Sequence, residues 1–454
     1  MKKYIIRANE TFLYESFERS FISALLGPRR VGKTTLLEYY MNLHPEKKWV
    51  RLNMDVLSQR NKIEAEELEL MIEQMALQKI GGPKKLWVFI DEAQKCPQLF
   101  DQIKIIYDTH KGNNSIKFLL TGSAHLNLHK LTTESLAGRV ELLSLREFNL
   151  KETTHLMHQD ILDSSQNDFV QNVFDIIFNT KDISAIDMHM LEETLKKIID
   201  QARPFQKILQ ESLHQHLVWG GLPEVIEAPS EPLRLKYLGD YLQTYLEKDI
   251  RAIDSIGDLN MYQNLMKICA EVTGSVRDDK KIIDALHCSR GTLLKYRDYL
   301  LATLQYTELF PFIKSSIKRL VKSPKDYLIN NGLISYLTGI HDLAILKTTS
   351  LIGHRFENWF LNEIQTWLDT QTENCQTYFW RTAAGAEVDF VVTRGRQIIP
   401  FEITYAAQIE TKKLNNLKNF MIACPESSIG VFCYMGPLAF DQENRILFLP
   451  AWII

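Results

Sequence analysis

Nine consecutive residues, Gly27-Pro28-Arg29-Arg30-Val31-Gly32-Lys33-Thr34-Thr35, have the types and spacing to hold a polyphosphate. They fit the pattern G-x-x-x-x-G-K-[ST], whose two glycines let the chain turn tightly enough for successive N–H groups to face phosphate oxygens. A helix starting near Lys33 would add the positive end of its dipole to that cradle. Lys33 would reach the β- and γ-phosphates as a mobile point charge, and the Thr34 hydroxyl would complete a Mg²⁺ shell filled mostly by water. The expected ligand is ATP with Mg²⁺.

A second element agrees with the first. Leu86-Trp87-Val88-Phe89-Ile90-Asp91-Glu92 reads as a buried strand ending in two carboxylates. Asp91 would hold Mg²⁺ through water, and Glu92 would orient or deprotonate the attacking water. The run Lys117-Phe118-Leu119-Leu120-Thr121-Gly122-Ser123 ends in hydroxyls, so Thr121 and Ser123 are candidates to sense the γ-phosphate or the attacking water. Arg139, in Leu136-Ala137-Gly138-Arg139-Val140, could stabilise charge developing at a γ-phosphate, its own or a neighbour's. Its spacing is equally that of a surface arginine.

These groups can cooperate only if the strands that carry them end side by side. Residues 1–150 supply five short runs rich in branched and aromatic side chains, at 21–26, 49–53, 86–90, 116–121 and 140–145, separated by amphipathic stretches. That alternation predicts an α/β fold, a parallel sheet covered by helices. Residues 151–256 turn helical, with a break at Trp219-Gly220-Gly221-Leu222-Pro223. Residues 257–325 read as three short helices followed by a hairpin at 305–310 and 318–322, the order of a winged helix. Residues 326–454 form a second α/β pattern, a long helix before strands at 377–381, 387–392 and 398–403. Four domains follow, as a chain of 454 residues allows.

Composition sets limits on partners. Hydrophobic residues at 45% and charged residues at 24% are those of a globular chain, and a net charge of −3 excludes a uniformly basic nucleic-acid coat. A local excess remains: residues 274–325 hold eleven Lys or Arg against five acids. In the helix expected around His287-Cys288-Ser289-Arg290-Gly291-Thr292-Leu293-Leu294-Lys295-Tyr296, the residues Leu293, Tyr296 and Leu300 face inward, leaving Arg290, Lys295 and Arg297 for phosphate contact. Duplex DNA is the natural partner of such a surface, and a protein partner is the other reading. The six cysteines form no Cys-x-x-Cys pair, which predicts reduced structural thiols. Near the start only Tyr4-Ile5-Ile6 is apolar, and no run approaches a membrane span, so a cytoplasmic protein without a membrane partner is expected. No zinc-protease, nucleophile-elbow or dinucleotide pattern occurs. His214 and His216 read as helix-surface residues, and Tyr237, Tyr241 and Tyr245 as one helix face.

The runs at 27–35, Phe89-Ile90-Asp91-Glu92-Ala93-Gln94, 120–123, 136–139 and Glu147-Phe148 together resemble the AAA-type P-loop ATPases of bacteria and archaea that carry a C-terminal domain of unknown function. Trp219 to Glu224, Tyr245-Leu246-Glu247-Lys248-Asp249-Ile250, 379–382 and 385–389 are similar to that family's later signatures, so the resemblance spans nearly the whole chain. It implies an ATPase core, a helical subdomain, a winged helix and a last domain like the restriction endonucleases, and it supplies no biological process. In that last domain Glu357, Asp389 and Glu402 match the acidic positions of PD-(D/E)XK nucleases, which gather Mg²⁺ around a phosphodiester. The lysine expected two residues after Glu402 is Thr404, which cannot supply a cation, and Lys412 and Lys413 follow at a spacing that establishes no substitute.

The leading expectation is an ATPase whose nucleotide state controls the attached domains on DNA or a protein partner, with oligomerisation left open. A slowly hydrolysing, nucleotide-gated binding switch is a second reading. A metal-dependent DNA nuclease is a third, and Thr404 weakens it.

Overall fold

The structure, a computed structural model, describes residues 4–123, 136–159, 172–178, 188–251, 257–313 and 322–454. The chain divides into two compact units. The first comprises Met1–Glu147 with Thr244–Asp254 and Arg297–Gln305, and the second comprises Phe148–Gln243, Ser255–Tyr296 and Tyr306–Ile454.

The first unit is built on five parallel strands, β1 (Ile22–Gly27), β2 (Lys48–Asn53), β3 (Leu86–Asp91), β4 (Ile116–Ser123) and β5 (Val140–Ser144), in the order β2-β3-β4-β1-β5. Each lies within two residues of its expected position, because a strand covered on both faces must be apolar at nearly every position. All six residues of β3 are buried. Ile22, Ala24, Val50, Leu52, Val88, Ile90, Phe118 and Leu120 share one core with Ile63, Leu68, Ile72, Leu99 and Ile103 from the helices of that face. Since β4 separates β1 from β3, the carboxyl ends of all three line one edge, with Gly27 beside Ser123 in the register. Open parallel sheets hold their ligands in the crevice at such an edge.

The second unit is helical over Leu150–Met157, Met188–Ala202, α1 (Gln206–Trp219) and Glu231–Thr244. Helices Leu259–Glu271, Asp279–Leu286 and α2 (Arg290–Ala302) accompany a three-stranded antiparallel sheet of β6 (Ser275–Val276), β7 (Tyr306–Leu309) and β8 (Lys325–Leu328), in the order β6-β8-β7. The C-terminal end of α2 belongs to the first unit. Residues 318–321 of the expected hairpin lie outside the described residues, and among those described the partner of β7 is β8 rather than 318–322. The last part is a six-stranded mixed sheet of β9 (Cys375–Arg381), β10 (Glu387–Arg394), β11 (Gln397–Ile403), β12 (Gly430–Tyr434), β13 (Ala439–Asp441) and β14 (Ile446–Pro450), in the order β13-β14-β12-β11-β10-β9. Helix α3 (Leu351–Leu368) packs Phe356, Phe360 and Ile364 against Phe390, Phe401 and Ile403 on one face. Helix α4 (Thr411–Ala423) packs Leu417 and Phe420 against Val388, Val391 and Phe432 on the other.

All six cysteines are free thiols. Among the described residues no helix is long and apolar enough to cross a membrane.

Candidate nucleotide site

β1 runs through Gly27 into the glycine-framed loop, and a helix starts at Lys33 with Gly32 at its N-terminus. Both glycines are required. A Cβ on Gly27 would sit 2.1 Å from the Leu145 carbonyl oxygen, and Gly32 has φ +96°. The loop bottom is pinned by Arg7, whose guanidinium donates to the Val31 carbonyl at 2.8 Å and to the Arg146 carbonyl at 2.6 Å. Nothing in the sequence marked Arg7, because a single arginine contacting carbonyls 24 and 139 residues away has no local signature.

Lys33 is buried in this loop and donates to the carbonyl oxygens of Gly27 at 2.9 Å and Pro28 at 2.7 Å. Burial pushes its ammonium down to about 8, against the pull of Glu92. Asp91, 8% exposed at the end of β3, accepts hydrogen bonds from Thr34 Oγ1 at 3.2 and 3.3 Å and from the Thr121 hydroxyl. A carboxylate among hydroxyls is an oxygen donor set suited to Mg²⁺, and a cation satisfied by carbonyls can still take a phosphate. The residues therefore fit both groups. Glu92 follows with φ +54°, a left-handed conformation uncommon for a residue bearing Cβ and frequent at functional sites. Its carboxylate receives Gln94 Nε2 at 2.8 Å and lies 3.8 Å from Lys95 Nζ.

The backbone of Ser123 ends β4 beside Gly27, and its side chain lies outside what is described. Arg139 makes a forked pair with Asp108, both contacts at 3.2 Å, and lies over the Tyr107 ring. Arg29 forms a two-point ion pair with Asp249, its Nη2 donating to Oδ1 at 2.6 Å. Asp249 was legible only as part of a family signature, with no role attached.

In the second unit Glu357, Asp389 and Glu402 do come together. Asp389 sits where the β9–β10 register shifts, and its Oδ2 accepts the Ile403 N–H at 2.9 Å. Two lysines join them. Lys413 from α4 lies 3.2 Å from Asp389 and 3.5 Å from Glu402. Lys325 from β8, 3% exposed, lies 3.7 Å from Asp389 and 3.8 Å from Glu357 and also pairs with Glu387. Against the cost of burial, Lys413 and Lys325 hold Asp389 below the ordinary carboxylate range. Burial and Asp389 push Glu357 up to about 7 and Glu402 well above its usual value. Against burial, Asp389 and Glu402 hold Lys413 above the ordinary lysine value, and Tyr327 with Glu357, Asp389 and Glu387 does the same for Lys325. Among the described residues no group of three or more His, Cys, Asp or Glu is arranged to hold a metal ion.

The basic surface is smaller than its charge count. Arg297, expected to face solvent, is 4% exposed, since it lies four residues after Leu293 and three before Leu300 on the inward face of α2. Arg277 is spent on Asp326 and Glu308, and Lys325 is in the acidic cluster. Arg290 is exposed and Lys295 half-buried. Residues Lys314, Lys318 and Arg319 lie outside the described residues. His216 is not a surface residue. It is fully buried on α1, donates from Nε2 to the Phe148 carbonyl at 2.7 Å, and burial pushes it down to about 4. A cleft of about 790 Å³ in the second unit, lined by Asp200, Arg203, Met435 and Trp452, gathers no such constellation, and Arg203 and Asp200 pair with each other at 3.0 Å.

A parallel sheet whose first strand enters a lysine-bearing glycine loop, opposite a strand that ends in a carboxylate, defines a P-loop core. Residues 19–154 match the model of a family described as an AAA domain, and the core is of that type. Two further models, each described as a domain of unknown function, match residues 210–344 and 352–454. Uncharacterized proteins of Mycobacterium tuberculosis and Mycobacterium bovis are each 25% identical over 439 residues, covering 97% of this chain and 82% of theirs. Among solved structures, the chain is similar to a Walker-type ATPase of Pyrococcus abyssi (14% identity, 74% of this chain and 96% of that one, TM-score 0.44). It is also similar to the RuvB Holliday junction branch migration motor of Thermotoga maritima (14% identity, 67% and 89%, TM-score 0.29).

Proposed function

We propose that the chain is a Mg²⁺-dependent ATPase whose nucleotide state controls its later domains. The observation that carries this reading is the pair of converging groups at the sheet edge: a buried Lys33 held by two carbonyls, and Asp91 holding the Thr34 and Thr121 hydroxyls. Loop residues 27–35 would receive the phosphates and Lys33 would exchange carbonyls for phosphate oxygens. Thr34 and Asp91 would hold Mg²⁺, which when bound neutralises charge on the β- and γ-phosphates. Glu92, one residue beyond Asp91, is the group to hold the attacking water and accept its proton.

Residues 257–325 are read as a winged helix, supported by the order helix, strand, helix, helix, strand, strand and by the antiparallel β6-β8-β7 sheet. DNA would meet Arg290 and Lys295 rather than Arg297. Residues 326–454 are read as an endonuclease-like domain kept for binding, because Lys325 and Lys413 already pair with Asp389, the acid at its centre. Residues 1–150 and 151–256 are the ATPase core and helical subdomain of the same reading.

Mg·ATP turnover of the wild type and Glu92→Gln, with and without duplex DNA over a salt series, tests it. The variant should lose turnover by about 10²–10⁴-fold while keeping ATP affinity. Equal turnover in the two proteins would overturn the reading. A rate that neither DNA nor protein raises would favour the slow switch.

A further inference from the structure

The segment Tyr245–Ile250 was singled out by its sequence and has no part in the chemistry above. It nevertheless returns to the first unit and touches the nucleotide loop. Its Asp249 is buried and engages Arg29, the third residue of that loop, through both carboxylate oxygens. This fork-on-fork geometry is also how a guanidinium binds a phosphate. Asp249 lies close enough to Lys33 for its charge to act on that ammonium. Phosphates held at Lys33 would thus repel the Asp249 carboxylate and compete with it for Arg29, a triphosphate more than a diphosphate.

The same segment is wound as a π-helical turn over Tyr245–Ile250, with Arg251 N–H donating to the Leu246 carbonyl five residues back at 3.0 Å. Single π turns within α-helices concentrate at functional sites. Returning this turn to four-residue bonding would turn Asp249 about the helix axis relative to Tyr245, off Arg29. At its other end the buried Tyr245 hydroxyl meets Thr303 Oγ1 at 2.8 Å. Thr303 spends its own hydroxyl proton on the Tyr299 carbonyl at 2.7 Å, so Tyr245 donates. Thr303 closes the C-terminal end of α2, the helix that carries Arg290 and Lys295.

We infer that Asp249 is a nucleotide-sensing positioning residue: it exchanges Arg29 with the terminal phosphate of ATP and passes the change through the π turn and Tyr245 to α2. The inference rests on the nucleotide reading of the loop. Because coupling is reciprocal, removing the Asp249 charge removes a competitor of the triphosphate.

The test uses the full chain and fluorescent analogues of ATP and ADP with Mg²⁺, titrated into wild type, Asp249→Asn, Arg29→Gln, the double variant and Lys33→Ala. Asp249→Asn should tighten ATP relative to ADP by about fivefold or more, Arg29→Gln should shift the ratio the other way, and the double variant should fall short of additivity. Hydrogen exchange at amides 299–305 should differ between ATP and ADP in the wild type. In Tyr245→Phe that difference should vanish. An Asp249→Asn protein whose two affinities move equally or not at all, or wild-type exchange at 299–305 indifferent to nucleotide, overturns the inference alone. A wild type that binds neither nucleotide, or a Lys33→Ala protein that binds both as tightly, overturns the nucleotide reading and this inference with it.

Discussion

Two buried lysine–carboxylate clusters, one in each unit, use the same residue types to opposite ends. Lys33 donates to neutral carbonyls, and burial lowers its proton affinity against the pull of Glu92, so its hydrogen-bond partners are dipoles that a phosphate could replace. Lys325 and Lys413 meet Glu357, Glu387, Asp389 and Glu402, and their proton affinity rises. Within the fold two lysines answer part of that charge, and the raised proton affinity of Glu357 and Glu402 reduces the rest. A buried cation held by dipoles can exchange them for an anion, whereas one held by anions is already paired.

The same substitution at both lysines should break the comparison or make it quantitative. Lys325→Met leaves buried carboxylates without their cation, which should cost the second unit about 3–5 kcal/mol in urea unfolding. Lys33→Met removes an ammonium whose burial opposes folding by up to about 3 kcal/mol, since a fall from 10.5 to about 8 is valued at 1.36 kcal/mol per unit. The first unit should therefore lose no stability, while ATP turnover falls on the order of 10²–10³-fold. Equal destabilisation by the two changes would erase the distinction.

pH separates the clusters without mutation. The folded value of Lys33 is depressed to about 8 against 10.5 unfolded, so between those values deprotonation relieves the burial cost and the first unit should gain stability as pH rises. Over the same interval Mg·ATP affinity should fall by up to tenfold per unit, because the phosphate loses its cation. Lys325 and Lys413, held above 10.5, keep their full contribution throughout that window. Calorimetric unfolding and nucleotide titration between pH 7.5 and 10.5 would check both signs. His216 supplies a lower window. Its stabilisation is complete above 6.5 and lost as pH falls toward about 4, up to about 3 kcal/mol for the second unit, and a His216→Gln protein should lack that slope.

What could be read in the sequence was local. A P-loop, a buried strand ending in Asp91 and five apolar runs each occupy fewer than ten consecutive residues, and local propensity and burial fix them together. Arg7, Asp249 and Lys325 act across long sequence separations, 220 residues for Asp249 and Arg29, and only the folded topology brings them in. Thr404 occupies the position where the resemblance implied a lysine, and the cation beside Asp389 and Glu402 had to be located in space, where α4 delivers Lys413 rather than Lys412. Arg297 and His216 were misplaced although their signal was present. Each sits three or four residues from apolar neighbours of a buried helix face, and charge type was allowed to outweigh that spacing.

Arg139 offers the smallest effect and the sharpest contrast with Lys33. Its guanidinium is shared with Asp108 on the outside of the first unit, donates to the Ala137 carbonyl at 3.3 Å and lies over Tyr107, so its main partner is a solvated acid rather than the carbonyls of the glycine loop. Exposed pairs of this kind contribute about 0.2–1 kcal/mol, and the two-point geometry places this one toward the upper part of that range. Arg139→Ala should therefore lower the stability of the first unit by no more than about 1 kcal/mol, less at high salt, with Mg·ATP turnover unchanged. A fall of about 10³-fold in turnover would instead mean that Arg139 leaves Asp108 to act on a γ-phosphate. Mixing Arg139→Ala with Glu92→Gln protein would then say whose, since restored turnover requires an arginine supplied by a neighbouring chain.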